Sequence, residues 1–339
     1  MSTITRISRG IHNPEEIKPF LHRYKKSTGK LLREKRFGKI PLLMEHAFGT
    51  ESLINYLSVD SEYGEVVETD VFGNQMWVFA TDRGISRDLL IHGVREEKST
   101  HVFLDILKEL DNRVDEITVL EIGANIGYYT LLEANIISSG HIYAIEPEPN
   151  NFGLLNWNIE YNEFTEDVTT QQAVISETDE SADLEISNQS NTHQVHTGEE
   201  QTDSEIISVN SYTVDSFIES HHLSPEDINV VRMDIEGYET EVIDQLEIVL
   251  KSGDETVLFV ELHHRLAGEK KYGEMLDFLS SLGFKPVSAV YNTKLMPAWE
   301  GKELSAESMD DLRSLPVDAN CVELIAYREN QEMCACGPQ

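Results

Sequence analysis

The segment that most restricts the fold begins at residue 118. There a short apolar run, Thr118–Ile122 (TVLEI), meets a glycine turn, Gly123-Ala-Asn-Ile-Gly127, and a helical stretch, Tyr128–Ile137. A second run, His141–Ile145, ends in Glu146-Pro147, and a helix through Phe152, Leu155 and Ile159 follows. The alternation continues with Val168–Ser176 and Val230–Ile235. A helix through Val242, Ile243, Leu246, Val249 and Leu250 then stops at Gly253. Thr256–Leu262 comes next, then a helix through Tyr272, Met275, Leu276, Leu279 and Leu282 that stops at Gly283. Pro286–Tyr291 and Cys321–Tyr327 close the series. Buried-type strands alternating with helices predict an α/β architecture, a mostly parallel sheet covered on both faces.

The whole chain of 339 residues is longer than one compact domain of about 250–300 residues, so an accessory part is expected. The sequence divides into a basic, partly helical N-terminal arm (1–60), an accessory region (61–117), the alternating domain (118–330) and a tail (331–339). The accessory region holds a strand over Gln75–Ala80 and a helix over Thr100–Leu110. The acidic stretch 177–205 reads as a hairpin or a loop beside the site, with His193 and His196 in it.

Charge separates these parts. Lys and Arg number 27 against 61 Asp and Glu, a formal charge of −34. Such a surface argues against nucleic acid as a partner, because affinity for that polyanion rests on phosphate neutralisation. It favours a soluble, cytoplasmic protein of a salt-rich, haloarchaeal-like milieu, where self-repulsion is screened. The arm is the exception, with Lys18, Arg23, Lys25, Lys26, Lys30, Arg33, Lys35, Arg36 and Lys39 close together. It suits peripheral contact with anionic lipid headgroups or a lipid-phosphate carrier, or else it packs on the acidic body. The three cysteines, Cys321, Cys334 and Cys336, are too few for a disulfide scaffold. There is no uncharged run of about 18 residues, the length of a membrane span.

Ligands of open parallel sheets sit at the carboxyl ends of the strands. A dinucleotide fingerprint needs glycines at relative positions 0, 2 and 5; here Gly123 and Gly127 stand at 0 and 4. Glu121 beside the turn would repel a phosphate, and no Lys or Arg occurs between Arg113 and Arg232. Both features suit a ligand carrying ammonium and sulfonium charge. Glu146, at the end of the second strand, is placed to accept from ribose hydroxyls. Together they fit S-adenosylmethionine, with Glu121 toward its amino-acid end and Gly123, Ala124, Asn125 and Gly127 under its backbone. Glu146, Pro147 and Ala173 complete the cofactor side. Taken singly, Glu121 as a helix cap and Glu146 as a turn acid remain alternatives.

Several linked motifs carry a resemblance. They are Leu120-Glu-Ile-Gly-Ala-Asn-Ile-Gly-Tyr-Tyr-Thr130, Ile145-Glu-Pro-Glu-Pro149, Asn158-x-x-x-Asn162, Thr213-Val-Asp-Ser-Phe217, Val231-Arg-Met-Asp-Ile-Glu-Gly237 with Glu239, and Val260-Glu-Leu-His263. Over about residues 70–290 the chain resembles the FkbM-type S-adenosylmethionine-dependent methyltransferases. Arg232 stands where that family usually has lysine. The resemblance implies a class I methyltransferase fold, a Rossmann-like doubly wound sheet. It also implies O-methylation of a sugar, glycan, glycolipid or related small acceptor, at a hydroxyl or a carboxylate. The alternatives are a non-catalytic S-adenosylmethionine-binding module and, against the glycine spacing, a dinucleotide oxidoreductase.

Methyl transfer from a sulfonium needs alignment and exclusion of water, and a hydroxyl acceptor gains from a base. Asp234 and Glu236, at the end of one strand, are two residues apart and can share a face. Asp234 is the best candidate for a contact to cofactor or acceptor, and Glu236 for holding the acceptor or its loop; alternatively both cap the next helix. His263, also at a strand end, is the candidate base, since histidine titrates near neutrality. The competing role is a surface turn. Asp234, Glu236 and Glu261 could offer oxygens to magnesium, but no spacing demands it, and no metal is assigned.

Overall fold

A computed structural model describes residues 59–61, 64–82, 84–187, 193–195, 204–253, 255–293, 302–315 and 319–329. The basic arm up to residue 58, His196 and the Cys334-x-Cys336 tail lie outside these residues. The described residues fall into two units, one with residues up to 68 and 79–81, the other with 69–78 and those from 82 on. In the first, β1 (Val59–Ser61) pairs antiparallel with the start of β2 (Gly64–Val71), Val59 opposite Val66.

The second unit takes in β3 (Asn74–Phe79) as far as Val78, then α1 (Ile85–His92), α2 (Glu97–Asp111), β4 (Ile117–Ile122), α3 (Tyr128–Ile136), β5 (Gly140–Ile145), α4 (Pro149–Tyr161) and β6 (Val168–Gln171). There follow β7 (Val174–Ile175), β8 (Ser181–Ile186), β9 (Gln194–Val195), β10 (Glu205–Tyr212), α5 (Val214–Ser220), β11 (Ile228–Met233), α6 (Glu239–Val242) and α7 (Glu247–Ser252). The chain continues through β12 (Glu255–Leu262), α8 (His264–Ala267), α9 (Glu269–Ser281), β13 (Lys285–Thr293), β14 (Lys302–Glu303) and β15 (Ala319–Glu329).

The central sheet has the order β14-β13-β15-β12-β11-β4-β5-β6. From β6 to β12 every pair is parallel. β15 lies antiparallel between β12 and β13. The chain winds outward from β4 to β6, then returns to β11 on the other side of β4. That reversal opens a crevice at the carboxyl ends of β4 and β11. Parallel strands with β15, and the short edge strand β14, reversed at the far end make the doubly wound, class I methyltransferase arrangement that was expected.

The strands are apolar because both faces are covered. All seven residues from Thr256 to Leu262 in β12 are buried. Leu120, Ile122, Val231, Met233, Leu258 and Val260 share one core with Val242, Ile243, Met275 and Leu276 of the helices. Complete burial of one such side chain contributes about 1.5–3 kcal/mol. On α2, Phe103 packs against Tyr129 and Phe259, with ring centroids 5.9 and 5.0 Å away. Residues 82–117 therefore share a unit with the sheet.

Two local features differ from the sequence reading. Val168–Ser176 is not one strand. β6 ends at Gln171, whose carbonyl accepts from Glu146 N–H at 3.1 Å, and the chain turns in through the fully buried Ala173. It then joins a second sheet, β7-β10-β8-β9. Within that sheet the 177–205 stretch takes the hairpin form, β8 pairing antiparallel with β10. The helix read through Val242–Leu250 is broken by a 3₁₀ turn, Ile243–Leu246. Gln245 anchors that turn, donating to the Ser176 carbonyl and accepting from Val214 N–H.

The Asn158-x-x-x-Asn162 motif has a structural task. Asn158 accepts from Trp77 N–H at 2.7 Å and donates to the Trp77 carbonyl at 3.0 Å. Asn162 repeats this with Gln75, at 3.2 and 2.8 Å. Residues four apart lie on one helix face, and alternate residues of a strand expose their backbone to the same side. Asn158 also donates to the Ile126 carbonyl at 2.9 Å and so ties down the glycine loop.

Candidate active site

The crevice is built from three strand ends. At the end of β4, the N–H groups of Gly123 and Ala124 both donate to the Ile145 carbonyl at 2.9 Å, stitching the loop to β5. Gly123 has φ +88°, and a Cβ there would lie 2.0 Å from the Asp234 carbonyl oxygen. Only glycine allows β4 and β11 to approach so closely at this point. Asn125, at φ +53°, donates its N–H to Glu146 Oε2 at 2.9 Å.

Glu146 ends β5 with 4% exposure. Its Oε1 accepts from Glu148 N–H at 2.9 Å. Burial pushes this carboxyl up to about 8, against the pull of the two amides. Glu148 in turn caps α4, accepting from Asn151 N–H at 2.7 Å, with Pro149 in the first turn.

On the far wall Asp234 follows β11, its N–H donating to the Ile122 carbonyl at 3.0 Å. Asp234 Oδ2 lies 3.8 Å from Arg232 Nη2, while Oδ1 is buried with no hydrogen-bond partner. Glu236 sits in the turn beyond at φ +53°, and Gln194 from β9 donates to its carbonyl at 3.0 Å. Burial and the neighbouring Asp234 push the Glu236 carboxyl up to about 8, against His263.

The crevice spans about 830 Å³, open solvent at its mouth included. Gly123, Ala124, Asn125, Glu146, Pro147, Ala173, Asp234 and Glu236 line it together. Three expected residues stand off the wall. Gly127 starts α3 at φ +89°, where a Cβ would press on Leu155 Cδ1 at 2.8 Å. Glu121 is completely buried, accepting from Thr130 Oγ1 at 2.5 Å and facing Arg232 Nη1 at 3.3 Å. Its side chain reaches the crevice only through Arg232, not directly toward a cofactor's amino-acid end. Burial raises its pKa, against the pull of Arg232.

His263 also stands behind the wall, 7% exposed. Its Nδ1 is 3.1 Å from Glu239 Oε1, and its Nε2 is 3.4 Å from Glu236 Oε2 and 3.8 Å from Glu261 Oε1. Burial opposes the charged ring, yet Glu239, Glu261 and Glu236 hold its pKa well above the ordinary value. The ring is thus packed among carboxylates behind the wall, where the geometry gives Nδ1 a fixed partner in Glu239. His264 is partly buried and its pKa is lowered by that burial. His193 does line the crevice, accepting from Ser187 N–H at 3.0 Å.

Sequence reasoning gave no site role to Arg95 or Arg232, which both line the crevice. Arg95 pairs with Glu96 at 2.7 Å. Arg232 lies over the Tyr129 ring, 3.8 Å from its centroid, and its Nε is buried without a partner. The lysine-to-arginine departure at Arg232 was the available signal, because a planar guanidinium stacks where an ammonium would not. Arg95 precedes α2 and carries no local signature.

These donors fit S-adenosylmethionine. Glu146 offers a buried carboxylate at the end of β5, and Asp234 Oδ1 is an acceptor without a partner. The unpartnered Nε of Arg232 is a donor suited to a carboxylate.

Residues 121–286, just under half of the chain, match the family described as the Methyltransferase FkbM domain. No match is found among curated proteins. Solved structures with similar features include an O-methyltransferase from Bacillus cereus in complex with SAH, at 13% identity, covering 71% of this chain and 86% of that one, with a TM-score of 0.41. TYW2 of M. jannaschii in complex with AdoMet has 12% identity, 78% and 86% coverage, and a TM-score of 0.39. Precorrin-6y C5,15-methyltransferase from Geobacter metallireducens has 13% identity, 67% and 87% coverage, and a TM-score of 0.36. By its match to that family model, the domain is a methyltransferase with S-adenosylmethionine as its cofactor.

Proposed function

We propose that this enzyme methylates an oxygen of a small hydroxylated acceptor, a sugar, glycan or glycolipid. The observation that carries this reading is the buried, unpartnered Oδ1 of Asp234 on the crevice wall, two residues before Glu236. A hydroxyl is the donor such an oxygen lacks, and an unsatisfied buried acceptor costs about 1–3 kcal/mol until it finds one.

When bound, S-adenosylmethionine supplies an electrophilic methyl group on a sulfonium. Glu146 would accept from its ribose hydroxyls, and the loop from Gly123 to Asn125 would help hold it. Arg232 would hold its amino-acid carboxylate through Nε, while Glu121 and the Tyr129 ring keep the guanidinium in place. Asp234 orients the acceptor hydroxyl and takes its proton at Oδ1. Glu236, held in the turn by Glu239 and His263, closes the floor. A carboxylate acceptor would need no base.

The acidic composition favours a small acceptor over RNA and a milieu of concentrated salt in the cytoplasm. The basic arm then serves contact with an anionic lipid surface. No helix among the described residues is long and apolar enough to cross a membrane.

The test is transfer of labelled methyl from S-adenosylmethionine to free sugars, oligosaccharides and glycolipids, with alkaline treatment of the product. A methyl ether on a hydroxyl survives alkali, and an ester on a carboxylate does not. Asp234→Asn should lower turnover on a hydroxyl acceptor by about 100-fold or more. It should leave cofactor affinity within a few-fold, and a collapse of that affinity would move Asp234 to the cofactor side.

A further inference from the structure

Behind the crevice wall three side chains of different chemistry converge. A carboxylate oxygen of Glu261, a ring nitrogen of His263 and the sulfur of Cys321 all lie within 4.8 Å of one another. The three residues are 7%, 7% and 2% exposed. The β12–β15 register builds this group, with Glu261 opposite Glu323 and Leu262 opposite Val322. One step further, His263 comes level with Cys321. Cys321 donates to Glu261 Oε1 at 2.7 Å.

A second observation concerns the outer side of the ring. His263 Nδ1 faces Glu239 Oε1 at 3.1 Å, and the same oxygen accepts from the N–H groups of Ile235 and Gly237 at 3.1 and 3.2 Å. A carboxylate anchored in this way fixes the ring and its tautomer, leaving Nε2 to face Glu236 and Glu261. Metal-bound histidines characteristically carry such a carboxylate on the other nitrogen.

The distances also suit a metal. Two ligands on one tetrahedral zinc ion, at about 2.0–2.3 Å from it, stand about 3.3–3.8 Å apart. His263 Nε2 is 3.4 Å from Glu236 Oε2 and 3.8 Å from Glu261 Oε1. The Cys321–Glu261 contact is shorter, since a thiol proton bridges it, and loss of that proton would let the pair open. Sulfur, imidazole and carboxylate together select zinc-like ions over magnesium or calcium.

We propose that Glu261, His263 and Cys321 form a binding site for a zinc-type divalent cation, with Glu236 supplying the fourth ligand from the crevice side. The ion ties the ends of β12 and β15 to the turn after β11. The site stands on these side chains alone; its effect, setting Glu236 at the crevice floor, rests on the function proposed above.

Cobalt(II) is the probe, because its spectrum reports thiolate ligation where zinc is silent. Full-length protein is stripped with a chelator, reloaded and passed over a desalting column. The expected result is about one cobalt per chain, displaced by zinc, with a near-ultraviolet sulfur-to-cobalt charge-transfer band. Cys321→Ser should abolish the band, His263→Gln should abolish retention, and Glu239→Gln should weaken affinity by about 10–100-fold. The double variant Cys334→Ser/Cys336→Ser should keep the band. Failure to retain cobalt overturns the site, as does a band indifferent to Cys321→Ser or lost with the tail cysteines. Circular dichroism checks each variant's fold. Should a variant not fold, X-ray absorption on the loaded wild-type chain counts one sulfur or refutes the assignment. Calorimetric S-adenosylmethionine binding to the stripped protein separates failure here from failure of the methyltransferase reading.

Discussion

Glu146 shows how one buried group couples cofactor binding to protons. Its carboxyl is pushed up to about 8 by burial. In the ligand-free fold this favours the protonated form. Its contribution to stability is therefore present below the ordinary carboxylate range and is lost as pH rises from about 4.5 toward 8. Ribose hydroxyls favour the opposite form, since they donate to the ionised carboxylate. Binding of S-adenosylmethionine should thus tighten as pH rises toward 8 and should release about one proton at pH 7. Calorimetry in two buffers of different ionisation enthalpy measures that proton directly. A buffer-independent heat, or an unchanged one in Glu146→Gln, would refute the coupling. At this scale Glu146, Gly123 and Asp234 were legible in the sequence, because each sits at a strand end marked by its own neighbours. Glu121 was read as an acid beside the turn, toward a cofactor's amino-acid end, and not as a partner of Arg232. That pairing spans 111 positions and depends on β4 lying beside β11. The carboxylates around His263 were hidden for the same reason, since Glu236, Glu239 and Glu261 arrive from two strand ends.

The elements carry a sharper test at the β4–β11 contact. Gly123→Ala would place a methyl group 2.0 Å from the Asp234 carbonyl and force a left-handed residue to carry a Cβ. The two strand ends must part, so the variant should lose more than about 1 kcal/mol of stability. Cofactor binding should fall with it, because the Asn125 amide and Asp234 move together. Thermal unfolding and calorimetry on the same sample check both; a variant as stable and as tight-binding as wild type would show the contact to be slack. Strands were read well where apolar runs are continuous, as in Thr118–Ile122 and Thr256–Leu262. Where tertiary partners decide, reading stopped short. Nothing local marks Ala173 as the point where the chain leaves one sheet for another, or β15 as running against its neighbours. The break at Ile243–Leu246 has its cause in Gln245, whose partners lie in other elements.

For the whole molecule the governing quantity is the formal charge of −34. Repulsion among exposed carboxylates acts over a Debye length of about 10 Å at 0.1 M salt and about 3 Å at 1 M. Raising sodium chloride from about 0.1 to 2 M should therefore raise the midpoint of thermal unfolding. Differential scanning calorimetry across that range checks it, and a midpoint that falls would assign the acids a different part. Exposed pairs such as Lys251–Glu247 weaken in salt but contribute little to begin with. The buried Arg232–Glu121 pair is hardly screened. Composition made the charge balance plain from the start, whereas the positions of Arg95 and Cys321 beside the crevice required the fold.

The two asparagines of α4 have a consequence for how this chain meets others. A strand whose backbone groups lie open is a template for pairing with a second chain. Along β3, Asn158 and Asn162 satisfy both the N–H and the carbonyl of Trp77 and Gln75, as a neighbouring strand would. A helix here imitates a strand through its side-chain amides. From Gln75 to Trp77 the outward N–H and carbonyl groups are thus already engaged, so a second copy pairing at this stretch would first have to displace the motif that also holds the glycine loop.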